Sequence, residues 1–450
     1  MHLGIFQKNF TLYDLNHSLQ FLLDLDLQRK LKKEMFWKKL SHNEIKEIVF
    51  DALHKNANYR SQAVLGVPGT YLDSEQFYPD APFLKDAPYM SVMVNNPNHI
   101  GCHTLSEESV LDIFEGTQKI EKELIKICAE QIFHGKENDA DGYVAPGGTE
   151  ANIQAMWVYR NYFMKEFGAK ANEIALVYSQ DSHYSMPKGG NILSLTSIIL
   201  EVDEEDRSIK QEDLEAKITQ ARANGINYFI VVMNLSTTMF GSVDDIDRVA
   251  SYFDSLGVEF KVHVDGAYGG FIYPFTNPES RFTFKNKYIT SFTSDGHKML
   301  QTPYGTGLFL IRKGYMDYVC TDEAQYIPGK DYTICGSRSG ANAVSIWMIL
   351  MTHGSAGWQY KMESLCDRTS RICSKLDELG VKYFRNPHIN IITIKSDFVS
   401  KQLAEKYHLV ADSYEFGAKW WKIVVMPHVK QGHIDSFLMD LEAERKAVAV

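Results

Sequence analysis

Between residues 174 and 312, short apolar runs alternate with amphipathic helical stretches, and this rhythm leaves few architectures open to the chain. The strand-like runs are Ile174–Ser179, Tyr228–Leu235, Lys261–Asp265, Tyr288–Ser294 and Gly305–Arg312, with helical patterns at Gln211–Ala223 and Asp244–Leu256. Strands joined through helices read as βαβ units, so the expected fold class is α/β with a mainly parallel sheet. A long helix over Glu107–Phe133 and a second opening near Thr149 precede the alternation. After about His353 the order becomes helix (Glu363–Leu379), strand (Ile389–Ile394), helix (Phe398–Tyr407), strand (Lys422–Met426) and helix (His433–Glu444), a smaller α+β domain. The division expected is a helical N-terminal segment over 1–75, a large α/β domain over 76–352 and the small domain over 353–450. The first segment carries an amphipathic run at Leu19–Leu40, suited to a surface helix or to an arm around a partner subunit.

In an open parallel sheet, ligands gather beyond the carboxyl ends of the strands. Two strand ends deliver ionisable residues there: Asp265 in KVHVDGAYGGFIYPF and Lys298 in SFTSDGHKML. An acid and an amine at one sheet edge suit pyridoxal phosphate. The lysine condenses with the aldehyde, and the aspartate keeps the ring nitrogen protonated so that the ring can accept electrons. APGGTEAN (Ala145–Asn152) sets two glycines before a helix whose free N–H groups and Thr149 hydroxyl can hold an anion, although Gly-Gly before a helix is also an ordinary turn. His183 follows the first strand, where a flat imidazole can lie on one face of a ring while the small Ala267 leaves room at the other. Thr237 and Thr238 are further donors at a strand end, and Asp244 and Asp245 read as helix-start residues.

Other classes of function find little support. A net charge of −10 without basic blocks argues against nucleic acid, and the longest apolar runs are too short to cross a bilayer. The N-terminus lacks the unbroken apolar core of an export signal, and six scattered cysteines without a CxxC pair fit reduced thiols, so a cytoplasmic protein is expected. His99, Cys102 and His103 lack further ligands for a metal site, and GSRSG (Gly336–Gly340) is not a serine-hydrolase elbow.

In order, GYVAPGGTEAN, YSQDSHYS, NLSTTMFGSVDDI, HVDGAYGGFIYPF, SDGHK and TICGSRSG resemble the pyridoxal-phosphate-dependent amino acid decarboxylases of the glutamate, aromatic and histidine type (group II). The resemblance covers roughly residues 90–355 and, more loosely, VVMPHV. It implies the aspartate-aminotransferase-like fold (fold type I), and decarboxylation of an amino acid to its amine and carbon dioxide. It also implies roles for single residues. Lys298 would hold the cofactor, Asp265 would pair with the ring nitrogen, Ala267 would pack under the ring and His183 would stack above it. Gly148, Thr149 and His297 would bind phosphate. Arg338 would meet the substrate carboxylate or build the architecture around it. Tyr326, or second Tyr332, would protonate the product carbon from a mobile loop. The family is usually a homodimer with its active site at the interface. Asp295 and Gly266 depart from the common pattern, and an acid at 295 sits awkwardly beside a phosphate. An aminotransferase, an aldehyde synthase and another carbon–carbon lyase are the rival activities, and a nucleotide-binding or purely structural α/β protein is the rival class. The substrate stays open among histidine, aromatic and acidic amino acids: the motifs lean towards bacterial histidine decarboxylases, Asp295 towards a tyrosine/aspartate branch. Tyr71, Phe77, His99 and His103 are possible pocket liners.

Overall fold

A computed structural model describes residues 63, 65, 115–321, 330–336 and 338–448. The N-terminal segment apart from residues 63 and 65, and His99, Cys102, His103, Tyr71, Phe77 and Tyr326, lie outside the described residues. Everything below belongs to the compact unit spanning Ala63–Val450.

Seven strands form the large sheet: β1 (Ala140–Ala145), β2 (Ile174–Ser179), β3 (Thr196–Leu200), β4 (Tyr228–Asn234), β5 (Glu259–Asp265), β6 (Ile289–Asp295) and β7 (Gly307–Arg312). Their order is β1-β7-β6-β5-β4-β2-β3. All run in parallel except β7, which pairs antiparallel with both neighbours. Helix α1 (Glu115–Lys126) precedes them, and the helices between them include α2 (Gly148–Phe167), α3 (Ser185–Leu193), α4 (Gln211–Ala223) and α5 (Ile246–Ser255). Alternate residues of one strand serve opposite cores. Ala175 and Val177 join one apolar cluster, and Ile174 and Leu176 join the other. Burial on both faces is why these strands read as continuous apolar runs.

The C-terminal part opens with α6 (Gly340–Glu378), a long helix broken at Gly354 (φ 60°, ψ 175°), where only glycine fits easily. Strands β8 (Tyr383–Phe384), β9 (Ile391–Lys395), β10 (Val410–Ala411) and β11 (Trp420–Val424) make an antiparallel sheet of order β10-β11-β9-β8. Helices α7 (Lys401–Lys406) and α8 (Gln431–Val448) complete it around a separate apolar core.

Several elements differ from the sequence reading. Strand β1 (ADGYVA) and the partly exposed β3 were not anticipated, because neither carries a long apolar run. The described part of the long early helix changes to a π turn over Ile127–Ile132. Helix α6 begins well before Glu363. Of the acidic pair at 244–245 only Asp245 caps α5, accepting from Arg248 N (3.1 Å). Asp244 turns inward and accepts from Asn234 N (2.7 Å) and Nδ2 (2.8 Å); burial pushes its carboxyl up to about 7.

Candidate active site

The site lies where β2, β5 and β6 end and α2 begins. Asp265 closes β5 and is buried; its Oδ2 accepts from Asn152 Nδ2 (2.9 Å) and its Oδ1 from Ala267 N (3.1 Å). Lys298 stands in the π turn Gly296–Leu300 directly after β6. Its Nζ pairs with Asp295 Oδ2 at 2.9 Å. Burial works to lower the lysine, but the Asp295 and Asp265 carboxylates outweigh it and hold its pKa above the ordinary lysine value. His183 follows β2 with Nδ1 facing Ser185 Oγ (2.9 Å) and accepting from Ser185 N (3.2 Å); burial lowers its pKa. Gly148, Thr149, His183, Ala267, His297 and Lys298 all line one cavity of about 840 Å³.

The anion end of this cavity is built by backbone. Gly147 has φ 147°, outside the range L-residues favour, and Gly148 opens α2 with its N–H groups unpaired by the helix. A Cβ on Gly148 would sit 3.0 Å from both Asp295 oxygens and 3.1 Å from the Ala267 Cβ. His297 Nδ1 donates to Thr306 O (2.7 Å), and its Nε2 stands 3.5 Å from Asp295 Oδ2. Asp295 therefore does not point away from the site. Its charge is met by Lys298.

Two expected residues lie elsewhere. Arg338 is buried in an ion pair with Glu121, and its Nη1 also donates to the Val144 carbonyl (3.2 Å). The guanidinium is thus engaged by Glu121 and the end of β1, and Arg338 is not among the residues that line the cavity. Tyr332 packs in the apolar cluster against α2, and burial pushes its phenol up to about 12. Its neighbours Asp331, Thr333 and Ile334 line the cavity instead. Thr237 bonds Ser242 Oγ (2.7 Å) within its own turn.

The sequence reading missed four residues. Asn152, Ser185 and His263 form a buried network behind the cavity. Lys422, on β11, is 5% exposed and donates to Thr238 O (3.2 Å). No carboxylate within ion-pair distance of it is seen among the described residues. Burial, then the charge of Lys298, brings its pKa down to about 8. Lys422 lines a second cavity of about 820 Å³ that shares His183 and Tyr184 with the first. A buried lysine on a strand is legible in WWKIV only once the strand is known to face the cleft.

Comparison with known proteins decides the family. The model of the pyridoxal-dependent decarboxylase conserved domain matches residues 115–385. The chain belongs to the pyridoxal-dependent amino acid decarboxylases. The decarboxylase is 47% identical over 411 residues to the tryptophan decarboxylase of Clostridium sporogenes, covering 91% of this chain and 98% of that one. It is 28% identical over 366 residues to the histidine decarboxylase of Vibrio campbellii, covering 79% and 87%. Its fold is similar to that of the L-methionine decarboxylase of Streptomyces sp. 590, with a TM-score of 0.71, 17% identity, and 91% and 96% covered. Aminotransferase, nucleotide-binding and structural readings are set aside. The decarboxylase is a carboxy-lyase of fold type I that uses pyridoxal phosphate, and its residues fit that cofactor: an amine in ion-pair contact, a buried acid, and a glycine cradle at a helix N-terminus.

Proposed function

We propose that the enzyme decarboxylates a large aromatic L-amino acid, tryptophan in the first place, to the corresponding amine. The observation that carries this is the 47% identity to a tryptophan decarboxylase along 98% of its length. The cavity agrees in chemistry, since Ile153, Trp157, Ile192, Leu193 and Ile334 give it an apolar wall beside the charged end. Histidine, towards which the motifs lean, is the weaker reading at 28% identity.

Bound pyridoxal phosphate supplies the sink for the electron pair left on the substrate carbon when carbon dioxide departs. Lys298 would carry the cofactor on its amine, which Asp295 Oδ2 orients from 2.9 Å. Asp265 would keep the ring nitrogen protonated, so that the ring can accept that electron pair. His183 and Ala267 bracket the ring, while Gly148, Thr149 and His297 hold the phosphate. Lys422 is the buried cation available to the substrate carboxylate, in place of Arg338. Tyr326 is the proton donor to the product carbon. The active enzyme is a cytoplasmic homodimer. Support for this comes from two exposed aromatics, Tyr184 at the cavity and Tyr304 against the His297 ring, and from the five described cysteines, all free thiols.

The test is mass spectrometry of products from L-tryptophan, tyrosine, phenylalanine, histidine, aspartate, glutamate and serine, with a Lys298→Ala control. Tryptamine that vanishes in the control is expected. Histamine or an acidic-substrate product in its place overturns the aromatic reading, and aldehyde products would indicate an aldehyde synthase.

A further inference from the structure

Behind the cavity runs one continuous chain of buried hydrogen bonds. Tyr159 Oη lies 2.5 Å from Ser291 Oγ, which lies 2.6 Å from His263 Nδ1. His263 Nε2 is 2.9 Å from Asn152 Oδ1, with Thr293 Oγ1 a longer neighbour at 3.2 Å. The Asn152 amide nitrogen then reaches two groups, Asp265 Oδ2 (2.9 Å) and Ser185 Oγ (3.0 Å). Ser185 Oγ closes the run at 2.9 Å from His183 Nδ1. Asn152 is 1% exposed, and Ser185, His263 and Ser291 are fully buried.

The directions from Tyr159 to Asp265 follow from one charge, and the Ser185 N–H, which donates to His183 Nδ1, sets the last bond. A carboxylate only accepts, so Asn152 must turn its NH₂ to Asp265 and its carbonyl to His263. The reverse amide orientation would set a carbonyl oxygen against a carboxylate. His263 must then carry its proton on Nε2. Burial pushes that imidazole down to about 4, so it is neutral and Nδ1 accepts from the Ser291 hydroxyl. Ser291 in turn accepts from Tyr159. On the other arm, Ser185 accepts from Asn152 and points its own proton at His183 Nδ1, which also accepts from the Ser185 N–H (3.2 Å). His183 is left neutral with its proton on Nε2.

We propose that Asn152 is a positioning residue that locks Asp265 and His183 into a single frame. One amide on the phosphate-binding helix thereby sets both the acid for the ring nitrogen and the imidazole for the ring face. The inference rests on the roles assigned above to Asp265 and His183. It is independent of which amino acid is the substrate. Helix α2 opens at Gly148, four residues before Asn152, so the phosphate contact and the ring contacts share one rigid element.

The experiment uses full-length Asn152→Ala, Asn152→Asp, Ser185→Ala and the Asn152→Ala/Ser185→Ala double variant. Three readouts are taken: cofactor dissociation constant, pH titration of the bound cofactor's visible absorbance, and the side-chain nitrogen resonances of His183 in cofactor-free, ¹⁵N-histidine protein, assigned with His183→Gln. Asn152→Ala is expected to weaken cofactor binding at least about tenfold, the loss of one charge-assisted hydrogen bond. Asn152→Asp is expected to move the absorbance titration by about one pH unit, because a second carboxyl then faces Asp265. Ser185→Ala should change the His183 nitrogens while leaving the titration near wild type. In the double variant the His183 change should be no larger than in Ser185→Ala, the non-additivity of residues acting in series. Should Asn152→Ala fail to fold, Asn152→Asp and Ser185→Ala still decide the matter. Wild-type titration and wild-type His183 resonances in folded Asn152 variants overturn the inference. If Asp265→Asn and His183→Ala also leave the titration unchanged, the underlying roles fail as well; if those two shift it, only the part given to Asn152 fails.

Discussion

At the scale of single residues, the site is organised by how buried charges are matched. Lys298 and Asp295 compensate one another, so an acid beside an anion-binding loop is tolerable in this decarboxylase. Lys422 has no such match among the described residues, and its pKa near 8 gives a sign to the pH dependence. Below about pH 8 the ammonium is present and can receive a carboxylate; above it the charge is lost. With Lys422 as the carboxylate anchor, kcat/KM for the aromatic substrate should therefore fall as pH rises through about 8, since that ratio reports groups of the free enzyme. Lys422→Met should remove that limb and raise KM by about 10- to 100-fold, the cost of a lost buried charge pair. Steady-state kinetics from pH 6 to 9.5 check both, and an unchanged KM in Lys422→Met would reject the role. Asp265, Lys298 and the APGGTEAN loop were legible because they sit in short motifs at strand ends. The work of Asn152 was not, because its partner Asp265 lies 113 positions away.

At the scale of elements, packing limits are set by backbone approaching backbone. Gly142 in β1 pairs with Leu310 in β7, and a Cβ there would fall 2.2 Å from the Phe309 carbonyl oxygen. No side-chain rotation relieves a contact with a main-chain atom, so the β1–β7 ladder must part. Gly142→Ala is expected to cost about 2 kcal/mol, as overpacking does, and to lower the urea midpoint without changing the slope. A midpoint within error of wild type would show that the edge strand can shift at no cost. Element identity was largely visible in sequence, with Ile174–Ser179 recovered residue for residue as β2. Direction was not. The GLFLIR run of β7 looks like its parallel neighbours, because burial on both faces gives the same apolar pattern in either orientation.

At the scale of the whole molecule, the proposed homodimer makes two predictions. Sedimentation should give the mass of two 51.4 kDa chains. If the loop carrying Tyr326 serves the partner's cavity, mixing inactive Lys298→Ala and Tyr326→Phe chains should restore about one quarter of wild-type activity. Half of the randomly paired dimers are mixed, and each mixed dimer keeps one intact site. Absence of any restored activity, with exchange of chains verified, would place that loop over its own site. The sequence by itself determined the fold class, the cofactor chemistry and six of the residues that line the cavity, since apolar periodicity and motif order are local properties of the chain. Only the tertiary structure decided that Arg338 pairs with Glu121, that Tyr332 is packed away, that Lys422 lines the adjoining cavity and that Asn152 bonds Asp265. Those outcomes depend on which distant side chains share a buried space, and a partner brought close by folding leaves no mark at its own position in the sequence.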